Sequence, residues 1–165
     1  MINKLSSIIL IMGVSGAGKT TIGKLLAELL NWEFRDADNF HKLANIKKMQ
    51  MGISLNDNDR IPWLEDLQAA IRNWLQDNKN VVLACSALKT SYRQMLIIDS
   101  RIQLVYLQGS FDVIENRLKA RKNHFMTEKL LKSQFHDLEE PDNCICVDVS
   151  QAPEVIVEKI KKALG

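Results

Sequence analysis

Apolar residues cluster along this chain in two rhythms. Runs at Ile8 to Met12, Val81 to Cys85 and Leu104 to Leu107 are wholly apolar, and Ile145 to Val149 is apolar but for Asp148, so they suit strands covered on both sides; Glu33 to Arg35 is a shorter candidate. Between the runs, apolar positions recur at helical spacing. They predict helices near Lys19 to Leu30, Asn45 to Met51, Trp63 to Asp77, Ser91 to Ile98, Asp112 to Arg121, Glu128 to Glu139 and Glu154 to Leu164. Strands alternating with helices predict an α/β fold around a parallel sheet, with right-handed crossovers and ligands gathered beyond the carboxyl ends of the strands. The loops after the apolar runs are therefore where chemistry is expected.

The first such loop carries the strongest signal. Gly13, Val14, Ser15, Gly16, Ala17, Gly18, Lys19 and Thr20 complete a G-x-x-x-x-G-K-[ST] phosphate loop between a strand and a helix, the setting this motif requires. Its glycines let successive N–H groups point at phosphates, and the following helix adds its positive end. Lys19 supplies a mobile cation. The Thr20 hydroxyl is expected to ligate a Mg²⁺ that bridges the terminal phosphates of ATP, and Thr21 continues the helix beside the nucleotide.

Composition narrows the classes of function. With 165 residues, of which 46% are hydrophobic and 25% charged, the chain has the make-up of an ordinary globular protein and the length of one domain, taken as residues 1–165. A net charge of +2 without a basic run argues against a nucleic-acid partner. No apolar run approaches the roughly 20 residues of a membrane span, so no membrane partner and a cytoplasmic location are expected. Cys85, Cys144 and Cys146 lack metal-ligand spacing and are expected to be reduced thiols of the core.

Two insertions interrupt the α/β rhythm. Residues 39–62 are polar and suit a substrate cap, while residues 121–127 form a short cationic connection suited to a lid that keeps water from the transferred group. Asp36 and Asp38 follow the short second strand, which places them near the phosphate loop. Asp38 is expected to act as the base for an attacking hydroxyl and Asp36 as the metal-side partner, unless the pair merely forms a polar turn with Asp38 capping the next helix. Arg117 and Arg121, four apart, would share a helix face and could reach over the nucleotide, or could simply be a solvated helix end.

Longer segments extend this picture. They are Asp36 to His41; Asn45 to Met49; Leu55-Asn-Asp-Asn-Asp-Arg-Ile-Pro-Trp-Leu64; Cys85-Ser-Ala-Leu-Lys-Thr-Ser-Tyr-Arg93; and Phe111 to Phe125. Together with the phosphate loop they resemble the gluconate kinases of the small P-loop kinase type over nearly the whole chain. The resemblance implies a three-layer P-loop kinase fold, similar to shikimate and nucleoside monophosphate kinases, with a parallel five-stranded sheet, a substrate cap and a short lid. It implies ATP-dependent phosphorylation of D-gluconate at its 6-hydroxyl, and a homodimer.

An acceptor with one carboxylate and a row of alcohols needs a fixed cation and short polar groups. Lys48, Arg60 and Arg93 are candidates for the cation; His41, Asn45, Ser86 and Lys89 for the hydrogen bonds. The alternatives are that Arg60 pairs with Asp57 or Asp59, that Lys48 is solvated, and that Trp63 is packing rather than pocket wall. Two features depart from expectation: the third strand runs into Ser86 where many phosphate-loop enzymes place a metal-side carboxylate, and the lid reads Lys122-Asn123-His124-Phe125. A GTPase is disfavoured because no D-x-x-G or N-K-x-D segment occurs. The remaining alternative is a kinase for another small hydroxy acid or a nucleoside monophosphate.

Overall fold

A computed structural model describes residues 7–121 and 127–165. Five parallel strands, β1 (Ile8–Met12), β2 (Glu33–Asp36), β3 (Val81–Ala84), β4 (Ile102–Gln108) and β5 (Ile145–Asp148), form one sheet in the order β2-β3-β1-β4-β5. The connecting helices are α1 (Lys19–Leu30), α2 (Leu43–Gln50), α3 (Asp57–Gln76), α4 (Thr90–Leu96), α5 (Phe111–Ala120), α6 (Glu128–Asp137) and α7 (Pro153–Leu164). A short 3-10 helix, Ala37–Phe40, follows β2. The lid expected at residues 121–127 lies, except for its two end residues, outside the described residues.

Burial explains why β1 reads as an unbroken apolar run. All five of its residues are fully buried, yet they serve different layers: Ile9 and Ile11 pack with α1, α5 and α7, whereas Ile8, Leu10 and Met12 pack with α3 and α4. The sheet is thus covered on both faces, the condition parallel strands require. From β1 the chain crosses first towards β2 and β3 and later towards β4, so the strand order reverses at β1 and opens a crevice beyond its carboxyl end. The phosphate loop occupies that crevice.

The edge strands differ. β2 alternates exposed and half-buried residues, and Glu33 pairs with Arg35 at 2.8 Å on its open side. β5 exposes Cys146, so the expectation that all three cysteines are core thiols fails there: Cys85 is buried, Cys144 half-buried and Cys146 open to solvent because it stands on an edge. Burial pushes the Cys85 thiol up to about 12, which leaves it protonated and unreactive at neutral pH.

Helix α3 starts at Asp57, well before the expected start at Trp63. Asn56 caps it: its side chain accepts from the Asp59 N–H at 2.8 Å while Asp59 accepts from the Asn56 N–H at 3.0 Å, a reciprocal capping box. Pro62 lies inside the helix rather than at its start. The insertion 39–62 is consequently more ordered than a loop, since it contains α2 and the first turn of α3. Replacing Asn56 by Ala removes one half of the box and leaves N–H groups uncapped; the expected loss is about 1 kcal/mol, read as a fall in Tm of roughly 2–4 °C.

Candidate active site

The phosphate loop is held open by its own backbone. Gly16 and Gly18 take φ of 83° and 99°, and a Cβ on Gly16 would lie 2.8 Å from Leu118 of α5, so the loop needs glycine there for both conformation and space. Val14 and Ala17 turn their side chains into the core and anchor the loop. Lys19 folds over it, donating from Nζ to the carbonyls of Gly13 at 2.9 Å and Val14 at 3.0 Å. Burial lowers the pKa of this ammonium, and the nearby Asp38 and Asp36 carboxylates work against that effect.

β2 delivers the two carboxylates. Asp36 accepts the Thr20 hydroxyl at 3.2 Å on one oxygen and the Asp38 N–H at 3.0 Å on the other, so Asp36 rather than Asp38 caps the short helix that follows. Asp38 faces the cavity. Water reaches it there, but protein crowds it on most sides, and this desolvation raises its pKa although Lys19 opposes the shift. Thr20 and Asp36 bring a hydroxyl and a carboxylate side by side, a pair of hard oxygens that fits a mostly hydrated Mg²⁺. Among the described residues no group of three or more His, Cys, Asp and Glu is placed to hold a metal, so such an ion would rely on these two, water and phosphate oxygens.

A cavity of about 360 Å³ runs from the phosphate loop to the cap. It is lined by Ser15 and Lys19 of the phosphate loop, by Asp38 and Ser86, and by His41 and Arg60 from the 39–62 segment. Arg60, almost buried, donates to the Tyr92 hydroxyl at 2.9 Å and to Asp137 of α6 at 3.1 Å. Its ion-pair partner is thus neither Asp57 nor Asp59. Asp57 accepts instead from Tyr92 and from Lys89, the latter at 2.9 Å, and Asp59 pairs with Lys48 at 2.9 Å. His41 stacks on Trp63, with ring centroids 4.3 Å apart, and accepts at Nδ1 from Asn45, which also donates to the Asp59 carbonyl. Trp63 is both packing and wall: it is buried, lines the cavity and donates to the Ala37 carbonyl at 2.8 Å.

Several expected site residues do not line this cavity. Arg93 is buried, and its guanidinium donates to the carbonyls of Ala87, Leu88 and Glu139 and to the Thr90 hydroxyl. It braces the loop that carries Ser86, in which Ala87 adopts a left-handed φ of 44°. Lys48 and Lys89 are tied to Asp59 and Asp57, and Asn45 stands behind His41. Arg117 and Arg121 do not share a face, because α5 ends at Ala120 and Arg121 continues in extended conformation: Arg121 lines the cavity, while Arg117 donates to the Val149 carbonyl. Gln134, Asp137 and Tyr92 were not anticipated. Tyr92 lies in the Cys85 to Arg93 segment, which does not single it out, and no motif marks Gln134 or Asp137.

The chain as a whole is similar to known proteins. The chain matches the family model "Shikimate kinase" over residues 15–164. It is 45% identical to a gluconokinase of Arabidopsis thaliana, over 93% of this chain and 89% of the relative, and 43% identical to the thermoresistant gluconokinase of Escherichia coli K12, over 94% of each. This chain belongs to the gluconokinase family. The family's architecture is shared as well: a gluconokinase structure from Sinorhizobium meliloti 1021 superposes with a TM-score of 0.87 at 39% identity, covering 98% of this chain and 93% of that one. As a family member the protein is a kinase, a phosphotransferase with an alcohol group as acceptor and ATP as donor. None of its described helices is long and apolar enough to cross a membrane.

The stability of this protein should respond to acid through His41. Burial, reinforced by the Arg60 charge, lowers its pKa to about 4, below the 6.5 of an unfolded histidine. Between those values the unfolded chain binds the proton and the folded one does not, so this contribution to stability is complete above pH 6.5 and is lost as pH falls towards 4. Urea midpoints measured from pH 7.5 down to 4.5 are expected to fall, and His41→Gln to flatten that slope; an unchanged slope would place the titrating group elsewhere.

Proposed function

We propose that this protein is a gluconokinase that transfers the γ-phosphoryl group of ATP to the 6-hydroxyl of D-gluconate, giving 6-phospho-D-gluconate and ADP. The observation that carries the proposal is one cavity lined by the phosphate loop, Asp38 and Arg60 together. Phosphoryl transfer needs a donor held by backbone N–H groups and a cation, a carboxylate within reach of the acceptor hydroxyl, and little water. An aldonic acid adds a carboxylate at the end of its chain remote from the reacting hydroxyl, and Arg60 is the nearly buried cation that the 39–62 segment brings to the cavity to receive it.

In this reading Gly13, Val14, Ser15, Gly16, Ala17, Gly18, Thr20 and Thr21 bind the nucleotide, and Lys19 neutralises charge that grows on the transferred group. Arg121 adds a second cation from the cavity wall. Arg117 acts from farther off, beside Val149. Asp38 accepts the proton of the 6-hydroxyl as the oxygen–phosphorus bond forms; the bond from the γ-phosphorus to the bridging oxygen breaks and ADP leaves with that electron pair. The raised pKa of Asp38 suits a base, because a less stabilised carboxylate takes a proton more readily. Thr20 and Asp36 would hold Mg²⁺, which supplies electrostatic neutralisation of the phosphates when bound.

On the acceptor side His41 and Ser86 offer hydrogen bonds to the alcohols directly. Asn45, Lys48, Lys89 and Arg93 serve from behind, by fixing His41, the cap and the Ser86 loop. We also propose that residues 1–165 form one kinase domain, with 39–62 as its substrate cap, and that the protein works as a homodimer in the cytoplasm, where ATP is available.

Assay of ADP release with Mg-ATP and a panel of D-gluconate, other sugar acids, free sugars, shikimate and nucleoside monophosphates tests the acceptor. Turnover is expected with D-gluconate; turnover confined to another compound would overturn the assignment of the Arg60 end. Lys19→Ala is expected to lower kcat by roughly 100-fold or more with the fold intact by circular dichroism. Asp38→Asn should likewise lower kcat while leaving ATP affinity nearly unchanged, and loss of nucleotide binding alone would move Asp38 to the metal. Arg60→Ala should raise KM for gluconate by roughly 10- to 100-fold with little change in KM for ATP, the loss of one charge-assisted contact.

A further inference from the structure

Helix α6 holds the phosphate loop and Arg60 at once. Near its middle, Gln134 accepts through Oε1 from the Ser15 N–H at 2.7 Å, although the N–H groups of this loop are the ones that bind phosphate oxygens. One turn later Asp137 accepts from Arg60 at 3.1 Å, at the acceptor end. Residues three apart share a helix face, so both tethers leave α6 on the same side. Beyond them the chain is pinned: the Glu139 N–H donates to the Leu88 carbonyl at 2.8 Å, its carbonyl accepts from Arg93 at 2.7 Å and its carboxylate accepts from the Thr90 N–H at 2.9 Å.

We propose that Gln134 is a positioning residue of the donor site that stands in for a phosphate oxygen at Ser15, and that with Asp137 it makes α6 the link between the nucleotide and acceptor subsites. The inference rests on the subsites assigned under Proposed function. A neutral amide oxygen on a backbone N–H makes the weaker kind of hydrogen bond, and a charged phosphate oxygen makes one roughly twice as strong, so the nucleotide displaces Gln134. An acceptor carboxylate at Arg60 displaces Asp137 by the same exchange of like for like. Each ligand frees one of the two tethers of α6, so the second ligand meets a helix already partly released and binds more tightly.

Calorimetric titration of the full chain with the β,γ-imido analogue of ATP and Mg²⁺, with and without D-gluconate, tests this. In the unaltered protein the analogue is expected to tighten gluconate binding by about fivefold or more, within the usual range of coupling between sites. Gln134→Leu removes the competing acceptor, so analogue binding without gluconate should tighten by roughly two- to tenfold, the worth of one neutral hydrogen bond, and the coupling should fall towards one. Gln134→Glu puts an anion on the same N–H and should weaken the analogue, which keeps the proposal testable if the Leu variant folds poorly. Weaker analogue binding by Gln134→Leu, or coupling unchanged in it, would overturn the proposal. If the unaltered protein binds the analogue but not D-gluconate, the acceptor assignment fails, while the analogue affinities of the two variants still decide the role of Gln134.

Discussion

Keeping a lysine ammonium charged in a place from which water is largely removed is the constraint around which this structure is organised. Lys19 sits at the carboxyl end of a fully buried strand, where desolvation disfavours its charge. Two main-chain carbonyls of the phosphate loop and the two carboxylates after β2 compensate. The same compensation couples the three groups: Lys19 restrains the rise in the Asp38 pKa, and Asp36 adds to it, so the two carboxylates and the cation are tuned as one group. Parallel strands covered on both faces make this possible, because they bring the ends of β1, β2 and β3 together at one edge.

Much of that core was legible in the sequence. β1 and α1 were read to the residue, because an unbroken apolar run followed by the phosphate-loop signature admits few alternatives. The start of α3 was not: its first turn, Asp57 to Arg60, is polar and carries no periodicity, and Pro62 imitates a helix start. Only the pair Asn56 and Asp59, a cap with its reciprocal acid three residues on, announced the true boundary. Arg121 was misread for the opposite reason. Its spacing from Arg117 fits a helix, but the helix ends one residue too soon.

The acceptor half of the site was harder, because a charge in a sequence does not reveal its partner. Lys48, Lys89 and Arg93 were plausible cations for a carboxylate, yet each already has its acceptors within the protein. Arg60 is tied as well, to Tyr92 and Asp137, but unlike the other three it still lines the cavity. The partners come from α4 and α6, far along the chain, and pairings at such separation leave no trace in a single sequence.

Arg93 also bears on how this scaffold could diversify. Three of its four acceptors are main-chain carbonyls, so the loop between β3 and α4 keeps its left-handed turn at Ala87 whatever side chains its neighbours carry. A planar fork of donors is needed for this, which a lysine could not supply. Ser86 and Lys89 are thereby decoupled from the shape of the loop they occupy. Substitutions there can change the side chain that Ser86 presents to the cavity, or the tie of Lys89 to Asp57, without disturbing the frame, and that freedom rests on an arginine that does not line the cavity.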